Sequence, residues 1–118
     1  MIQTRKEDND MTRSTRKGVG LPTHRAPTSP GEMLREEFLE PLGLTQTELA
    51  QRMQVPVGRI NQILQDKRAV SADTAVRLSR VLGMSAEFWL GLQSDWDLWH
   101  AQREVDLKAL RPVPRKAG

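Results

Sequence analysis

The chain has 118 residues, 37% hydrophobic side chains and a formal net charge of +3, which allows one folded domain with a modest core. It contains no cysteine, and its two histidines are His24 and His100, which lie far apart without a third ligand, so we expect no metal and no cofactor. No apolar run is long enough to cross a membrane, and the N-terminus lacks the apolar centre of a signal peptide. We therefore expect a cytoplasmic protein without a small-molecule ligand.

Residues 1–28 contain no helical or alternating apolar pattern. They hold six basic side chains and end in Pro and Thr. This composition predicts a disordered basic arm. Three interpretations remain open for it: an arm that follows a DNA groove or the phosphate backbone, a solvated tail without a function, and an over-long start with Met11 as the true first residue.

The first helix is predicted to begin at Pro30. Ser29 and Glu32 form the pattern of a capping box, and proline suits the first helical position. Because Pro41 has no amide hydrogen and disfavours a helical residue before it, the helix is predicted to end at Glu40.

Two short helices joined by a tight turn are predicted from Thr45 to Arg68. Thr45 and Glu48 repeat the capping box, and Pro56 suits the first position of the following helix. The apolar residues recur at helical spacing and can close on one core. They are Leu49, Ala50 and Met53 in the first helix and Ile60, Ile63 and Leu64 in the second.

The remaining side chains of the second of these helices suit DNA. No carboxylate occurs from Gln51 to Gln65, whereas a helix that only meets water usually mixes both charges. Asn and Gln pair with adenine in the major groove, and Arg pairs with guanine. The candidate DNA-binding residues are Gln46, Val57, Gly58, Arg59, Asn61, Gln62, Lys67 and Arg68. Among them, Gln46, Lys67 and Arg68 are predicted to contact phosphate, and Arg59, Asn61 and Gln62 to read bases.

The apolar spacing of this segment resembles the helix-turn-helix of Xre/Cro-type DNA-binding proteins. The matching positions are Gln46, Leu49, Ala50, Met53, Val55, Ile60 and Ile63. With its flanks, from about Ser29 to Arg103, the sequence resembles the HigA-type antitoxins of bacterial HigB–HigA toxin–antitoxin modules. One position departs from the pattern, because Gln54 stands where such turns most often have glycine. We expect Gln54 to adopt a left-handed conformation.

Two further helices are predicted after the motif. Ser71 caps a fourth helix, which runs from Ala72 to Leu82 and ends at Gly83 as a left-handed cap. Ser85 caps a fifth helix that reaches about Arg103. No segment alternates with period two, so no strand is predicted.

Four of the five aromatic residues lie in the fifth helix. Trp89, Leu92, Trp96 and Trp99 step by three, four and three, which indicates a narrow seam. We interpret this seam as a homodimer interface, because single helix-turn-helix domains gain specificity by reading two half-sites. The resemblance also implies a homodimer. The alternative is that the rings close the core of the monomer.

Charge is distributed unevenly along the chain. Residues 51–80 hold six basic and two acidic side chains, whereas residues 31–50 hold one basic and five acidic ones. The acidic first helix is therefore expected to face away from DNA. Since the resemblance implies a basic toxin as partner, part of the toxin contact is assigned to Glu32, Glu36, Glu37 and Glu40. The alternatives are a toxin contact on the basic N-terminal arm and a solvated acidic face without a partner.

These features predict an all-α protein, a five-helix Xre/Cro-like (lambda-repressor-like) DNA-binding domain at residues 29–104. The basic arm, residues 1–28, precedes it, and a flexible tail, residues 105–118, follows. No nucleophile, paired histidine or phosphate loop indicates an enzyme. The resemblance implies an antitoxin that binds operator DNA as a dimer, represses its own operon and neutralises a HigB-type mRNA-cleaving toxin. The alternative is a plain Xre-type repressor of phage or plasmid origin without a toxin partner.

Overall fold

The computed structural model describes residues 25–115, and in this part of the chain it contains helices and turns without a β-strand. The all-α prediction is thereby confirmed. Residues 1–24, which make up most of the predicted arm, lie outside the described residues. Within 25–115, no helix combines the length and the apolar character needed to cross a membrane.

The first helix, α1, consists of three consecutive helical segments, Pro30–Leu34, the π-helical turn Arg35–Leu39 and Glu40–Leu42. At its start, the Ser29 hydroxyl oxygen accepts a hydrogen bond from the Glu32 amide at 3.1 Å. The predicted end at Glu40 is wrong, because the helix continues through Pro41 to Leu42 and is capped by the left-handed Gly43, which has φ 61°. In the π-helical turn the Glu40 amide donates to the Arg35 carbonyl, five residues earlier. This wider turn gives room to the proline ring, which in a regular helix clashes with a carbonyl oxygen.

Helices α2, Gln46–Met53, and α3, Val57–Leu64, form the predicted pair. The capping box at Thr45 is complete: the Glu48 amide donates to Thr45 Oγ1 at 3.0 Å, and the Thr45 amide donates to Glu48 Oε1 at 2.9 Å. Pro56 lies immediately before the first residue of α3, one position earlier than predicted.

Helices α4, Ala72–Leu82, and α5, Ala86–Glu104, have the predicted caps. The Ser71 and Ser85 hydroxyl oxygens accept from amides three residues later, and Gly83 is left-handed with φ 92°. A single 3-10 turn, Leu107–Ala109, follows, and residues 105–115 are exposed.

All five helices contribute to one core, in which α4 packs against α5 and α2 against α3. The indole of Trp89 lies in this core beside the rings of Phe38 and Phe88, at centroid distances of 5.4 and 5.3 Å. The buried apolar residues are Leu34, Leu39, Leu49, Ala50, Met53, Ile60, Ile63, Val70, Ala75, Leu78 and Trp89.

The start of α1 lies directly against the end of α3. A side chain at Gly31 would overlap the Ile63 carbonyl oxygen, so only glycine permits this approach. Arg35 adds a hydrogen bond from Nη1 to the Leu64 carbonyl at 3.4 Å. Helix α1 therefore satisfies and fixes the C-terminal end of α3.

Candidate nucleic-acid interface

The turn between α2 and α3 has a defined left-handed geometry. Gln54 has φ 58° and ψ 49°, which confirms the prediction for this position. The Val55 amide donates to the Ala50 carbonyl at 3.0 Å, and the Gln54 amide donates to the Gln51 carbonyl at 3.2 Å. This pair of bonds is a Schellman motif, so the end of α2 is satisfied without glycine. The turn fixes the direction of α3 relative to α2.

Three amide side chains connect the exposed surfaces of α2 and α3. Asn61 Nδ2 donates to Gln46 Oε1 at 3.3 Å, and Gln65 Nε2 donates to Asn61 Oδ1 at 3.0 Å. Asn61 is half-buried between its two partners. The predicted backbone contact Gln46 and the predicted base reader Asn61 are thus brought together at one place. A base contact by Asn61 requires that it exchange or share one of these bonds.

Arg59 is half-buried, with 25% of its side chain exposed. Its Nη1 lies 3.2 Å from Oδ1 of Asp73, in the first turn of α4. The same carboxylate oxygen accepts from Arg77 Nε at 2.7 Å. The hydrogen bond from Arg77 holds the pKa of Asp73 below its ordinary value, with smaller contributions from the charges of both arginines. The Arg59 guanidinium is therefore held in place by an ionised acid.

The other predicted DNA-binding residues are exposed. Arg68 Nη1 donates to Gln62 Oε1 at 3.2 Å across the end of α3, and Lys67 lies beside them. At the start of α3, Val57 is 46% exposed, and a Cβ added to Gly58 would meet nothing within 4 Å. The fold of the monomer therefore gives no packing reason for glycine at position 58.

One predicted dimer-interface residue is placed wrongly. Trp89 has no exposed surface and is a central core residue, so its ring cannot contact a partner. Leu92 is half-buried against the same core. Trp96 and Trp99 are also half-buried, and both rings contact His100, at centroid distances of 4.5 and 5.0 Å. The physical reason is that the first part of the predicted seam, Trp89 and Leu92, lies on the side of α5 that packs against the core.

The opposite side of α5 carries a second row, of three apolar residues and one serine, that the sequence prediction missed. Leu90, Ser94, Leu98 and Ala101 line one shallow groove with Gln93 and Asp97, and Leu98 is 50% exposed. We call the first four residues the outer row. Their spacing of four, four and three is helical and visible in the sequence. The dimer interface was predicted on the inner side instead, because the large tryptophan side chains lie there.

The helix-turn-helix family profile matches residues 35–89. The chain is 37% identical over 93 residues to antitoxin HigA-1 of Vibrio cholerae, covering 77% of this chain and 88% of that protein. It is 44% identical over 75 residues to an uncharacterised HTH-type transcriptional regulator of Haemophilus influenzae, covering 64% and 70% of the two chains. The chain belongs to the Xre-type helix-turn-helix family that includes the HigA antitoxins. The predicted family is thereby confirmed.

Among solved structures, the chain resembles antitoxin GraA in complex with its operator. The TM-score is 0.71 and the identity 36%, over 80% of this chain and 99% of that one. This likeness confirms the Xre-like fold. It also shows that a relative with the same helical arrangement binds operator DNA.

The acidic residues that were assigned to a toxin contact lie along helix α1 of this chain. Glu36, Glu37 and Glu40 are exposed, and Glu32 is half-buried. The first three can therefore meet a partner without a change in the fold. Their assignment stays a prediction.

Three residues outside the predicted site support it. Asp73 and Arg77 hold Arg59 and the end of α2, and Gly31 lets α1 approach α3. The sequence places Asp73 only in the first turn of a helix, where an acid is explained by the helix dipole. Its contact with Arg59 spans fourteen residues and becomes visible only when α3 and α4 are packed together.

Proposed function

We propose that the chain is the antitoxin of a toxin–antitoxin module. It binds operator DNA as a homodimer, represses its own operon in the bacterial cytoplasm and neutralises a HigB-type mRNA-cleaving toxin. One observation supports the DNA-binding part most strongly: the solvent side of α3 presents amide groups and the Arg59 cation, the basic Lys67 and Arg68 follow the helix, and α3 has no carboxylate of its own. The likeness to GraA in complex with its operator supports the same function.

The residues at the interface divide into two roles. At the N-terminal end of α2, Gln46 suits a phosphate, because free amides and the helix dipole favour an anion there. Lys67 and Arg68, after α3, also suit phosphates. Arg59, Asn61 and Gln62 suit base edges, while Val57 can contact a thymine methyl group and Gly58 permits close approach. Phosphate contacts set the position on the duplex, and base contacts set the sequence.

Homodimer formation is assigned to α5, and we place its main contact on the outer row. Apolar residues lie on both sides of this helix, and a row of exposed apolar side chains on a helix is typical of a contact with another protein surface. The core covers the inner side at Trp89 and Leu92, and farther along the helix Trp96 and Trp99 lie beside His100 of α5 itself. A second copy of α5 would cover Leu90 and Leu98. Of the predicted interface, Leu92, Trp96 and Trp99 remain candidates for its flank.

The dimer is tested by two double variants, one for each side of α5. Leu90→Glu with Leu98→Glu should give a folded monomer in sedimentation, because charges replace the apolar contact. Operator affinity should fall by about 10²–10⁴-fold, since the second half-site no longer binds within the same complex. Trp96→Ala with Trp99→Ala is the matched variant on the inner side. If only this second variant is monomeric, the contact lies on the inner side.

The antitoxin function is tested by the adjacent gene. Expressed alone, that gene should stop growth, and coexpression of this chain should restore it. Arg59→Ala combined with Lys67→Ala should abolish repression of a reporter while growth is still restored. Charge reversal, Glu36→Lys, Glu37→Lys and Glu40→Lys, should instead keep repression and weaken the restoration of growth.

The second candidate function is a transcriptional repressor without a toxin partner. The relative in H. influenzae is described only as an HTH-type transcriptional regulator, and it is 44% identical to this chain. If the adjacent gene is harmless when expressed alone, this candidate replaces the antitoxin. If the charge-reversed chain restores growth fully, only the toxin contact on α1 is wrong.

A further inference from the structure

An acidic side chain lies at the edge of the proposed DNA surface. Asp73 is in the first turn of α4 and 58% exposed, and its Oδ1 lies 3.2 Å from Arg59 Nη1. A carboxylate at this place repels phosphate, which lowers the affinity for any DNA sequence. Its presence beside a candidate base reader therefore needs a reason other than affinity.

The carboxylate belongs to a network that connects three helices. Asp73 Oδ1 also accepts from Arg77 Nε at 2.7 Å, and Arg77 Nη1 donates to the Met53 carbonyl at 2.9 Å. Met53 is the last residue of α2. Through Arg77, the Asp73 carboxylate is therefore fixed relative to the end of α2 independently of its contact with Arg59 on α3. Such a network holds the Arg59 side chain in one orientation.

The bond to Asp73 leaves most of the Arg59 guanidinium free for DNA. Only Nη1 is bonded to the acid, and a guanidinium has further N–H donors in the same plane. Guanine is recognised by two parallel bonds from this planar fork to O6 and N7. A fork that is already oriented loses less side-chain entropy when these bonds form.

We propose that Asp73 is a positioning residue that orients the Arg59 guanidinium for recognition of guanine in the operator. This inference rests on the proposed DNA-binding function and adds a determinant of specificity to it. Asp73 lowers the affinity for DNA in general and raises the preference for one base. Arg77 holds Asp73 in the position that this requires.

The test is a binding-site selection from random duplexes with the full-length chain. We expect Arg59→Ala to lose the preference for one base in each half-site, by roughly 5- to 150-fold. Asp73→Asn has nearly the same shape but cannot accept an ionic bond, and should weaken the same preference by about 2- to 10-fold. Its affinity for unrelated DNA should rise. In the double variant, Asp73→Asn should add no further loss to that of Arg59→Ala.

The matched control is Glu87→Gln, which removes an acid from the first turn of α5. It should leave the selected motif unchanged, so that loss of a first-turn charge alone is excluded as the cause. Asp73→Glu keeps the charge and should retain part of the preference, which a purely structural role of Asp73 does not predict. If Asp73→Asn does not fold, as judged by circular dichroism, Asp73→Ser replaces it, because serine also removes the charge from the first turn of α4. In that case, an unchanged preference in Asp73→Ser overturns the proposal.

The other outcomes are distinct. If Asp73→Asn binds all sequences more tightly and keeps its preference for the base, Asp73 only repels DNA and the proposal is overturned. If Arg59→Ala selects the unchanged motif, Arg59 does not read a base, and the proposal falls while DNA binding stands. If the unaltered chain selects no motif, the proposed function itself fails.

Discussion

Helices α3 and α5 distribute their apolar residues differently. In α3, the buried Ile60 and Ile63 face the domain, and the other side is polar apart from Val57 at the start. In α5, apolar residues lie on both sides, with Trp89 fully buried and Leu98 half exposed. When a helix has one apolar side, the sequence shows which side is buried in the domain. When it has two apolar sides, the sequence alone does not show which of them the domain buries. The same difference separates the proposed DNA contact from the proposed dimer contact.

The largest expected effect is on the inner side of α5. Trp89→Ala should lower the free energy of unfolding by about 3–5 kcal/mol, because it removes a fully buried indole and leaves a cavity. Urea unfolding measures this loss. The matched control is Trp99→Ala, at a half-buried position on the same side, which should cost clearly less. Equal losses for the two variants would mean that the inner side of α5 is buried uniformly along its length.

The sequence predicts well those features that neighbouring residues determine. The caps at Ser29, Thr45, Ser71 and Ser85 depend on bonds to amides three residues away, and each was found where it was predicted. The left-handed Gln54 follows from the spacing of the motif. The end of α1 was predicted wrongly because the π-helical turn before Pro41 makes room for the proline ring, so that the helix does not stop at Glu40.

Features that depend on distant parts of the chain were less predictable. Trp89 and Trp99 are both tryptophans on the same side of α5. Trp89 is buried because α1 and α4 pack around it, which the sequence of α5 alone does not show. The contact of Arg59 with Asp73 likewise requires the packing of α4 beside α3. Arg59, Asn61 and Gln62 were predicted to contact DNA because their polarity contrasts with the apolar side of the same helix, and this assignment stays a prediction.

A smaller effect is expected on the solvent side of α3. Lys67→Ala should weaken binding to all DNA sequences similarly, and the salt dependence of log K should decrease by about 0.9 for each phosphate that the variant no longer binds. The free energy of unfolding should stay within about 0.5 kcal/mol, because Lys67 is exposed. Affinity measured over a range of salt concentrations checks this prediction. A change in the selected motif would contradict it, since it would show that Lys67 reads a base.

A still smaller effect is expected from a substitution at Gln54, in the turn before α3. Gln54→Gly should raise the free energy of unfolding by about 0.5–1 kcal/mol, because glycine adopts the left-handed conformation without steric cost. The added entropy of the unfolded chain offsets part of this gain. The urea midpoint measures the net effect. A control is Gln51→Gly within α2, which should be destabilising. A lower midpoint for Gln54→Gly would mean that the exposed Gln54 side chain makes a contact that the protein needs.

The smallest effect concerns the start of α2 and its dependence on pH. The bond from the Thr45 amide to Glu48, followed by the bond from the Thr45 hydroxyl and the charge of Arg52, keeps the pKa of Glu48 below its ordinary value. Since the folded state favours the ionised form, this stabilisation is present above the ordinary Glu pKa of about 4.3 and is lost as the pH falls through the lower pKa of the folded state.

Glu48→Gln isolates this contribution, because glutamine can still accept the Thr45 amide but does not titrate. The urea midpoints of the Glu48→Gln variant and of the unaltered protein should differ by a constant amount near neutral pH. The advantage of the unaltered protein should then shrink as the pH falls below the ordinary Glu pKa of about 4.3, and it should be lost as the pH passes through the lower pKa of the folded state. Asp73 also has a lowered pKa but is present in both proteins, so its titration cancels in the comparison. An advantage that grows as the pH falls would require a raised pKa, and would show that the Thr45 amide bond does not favour the ionised form of Glu48.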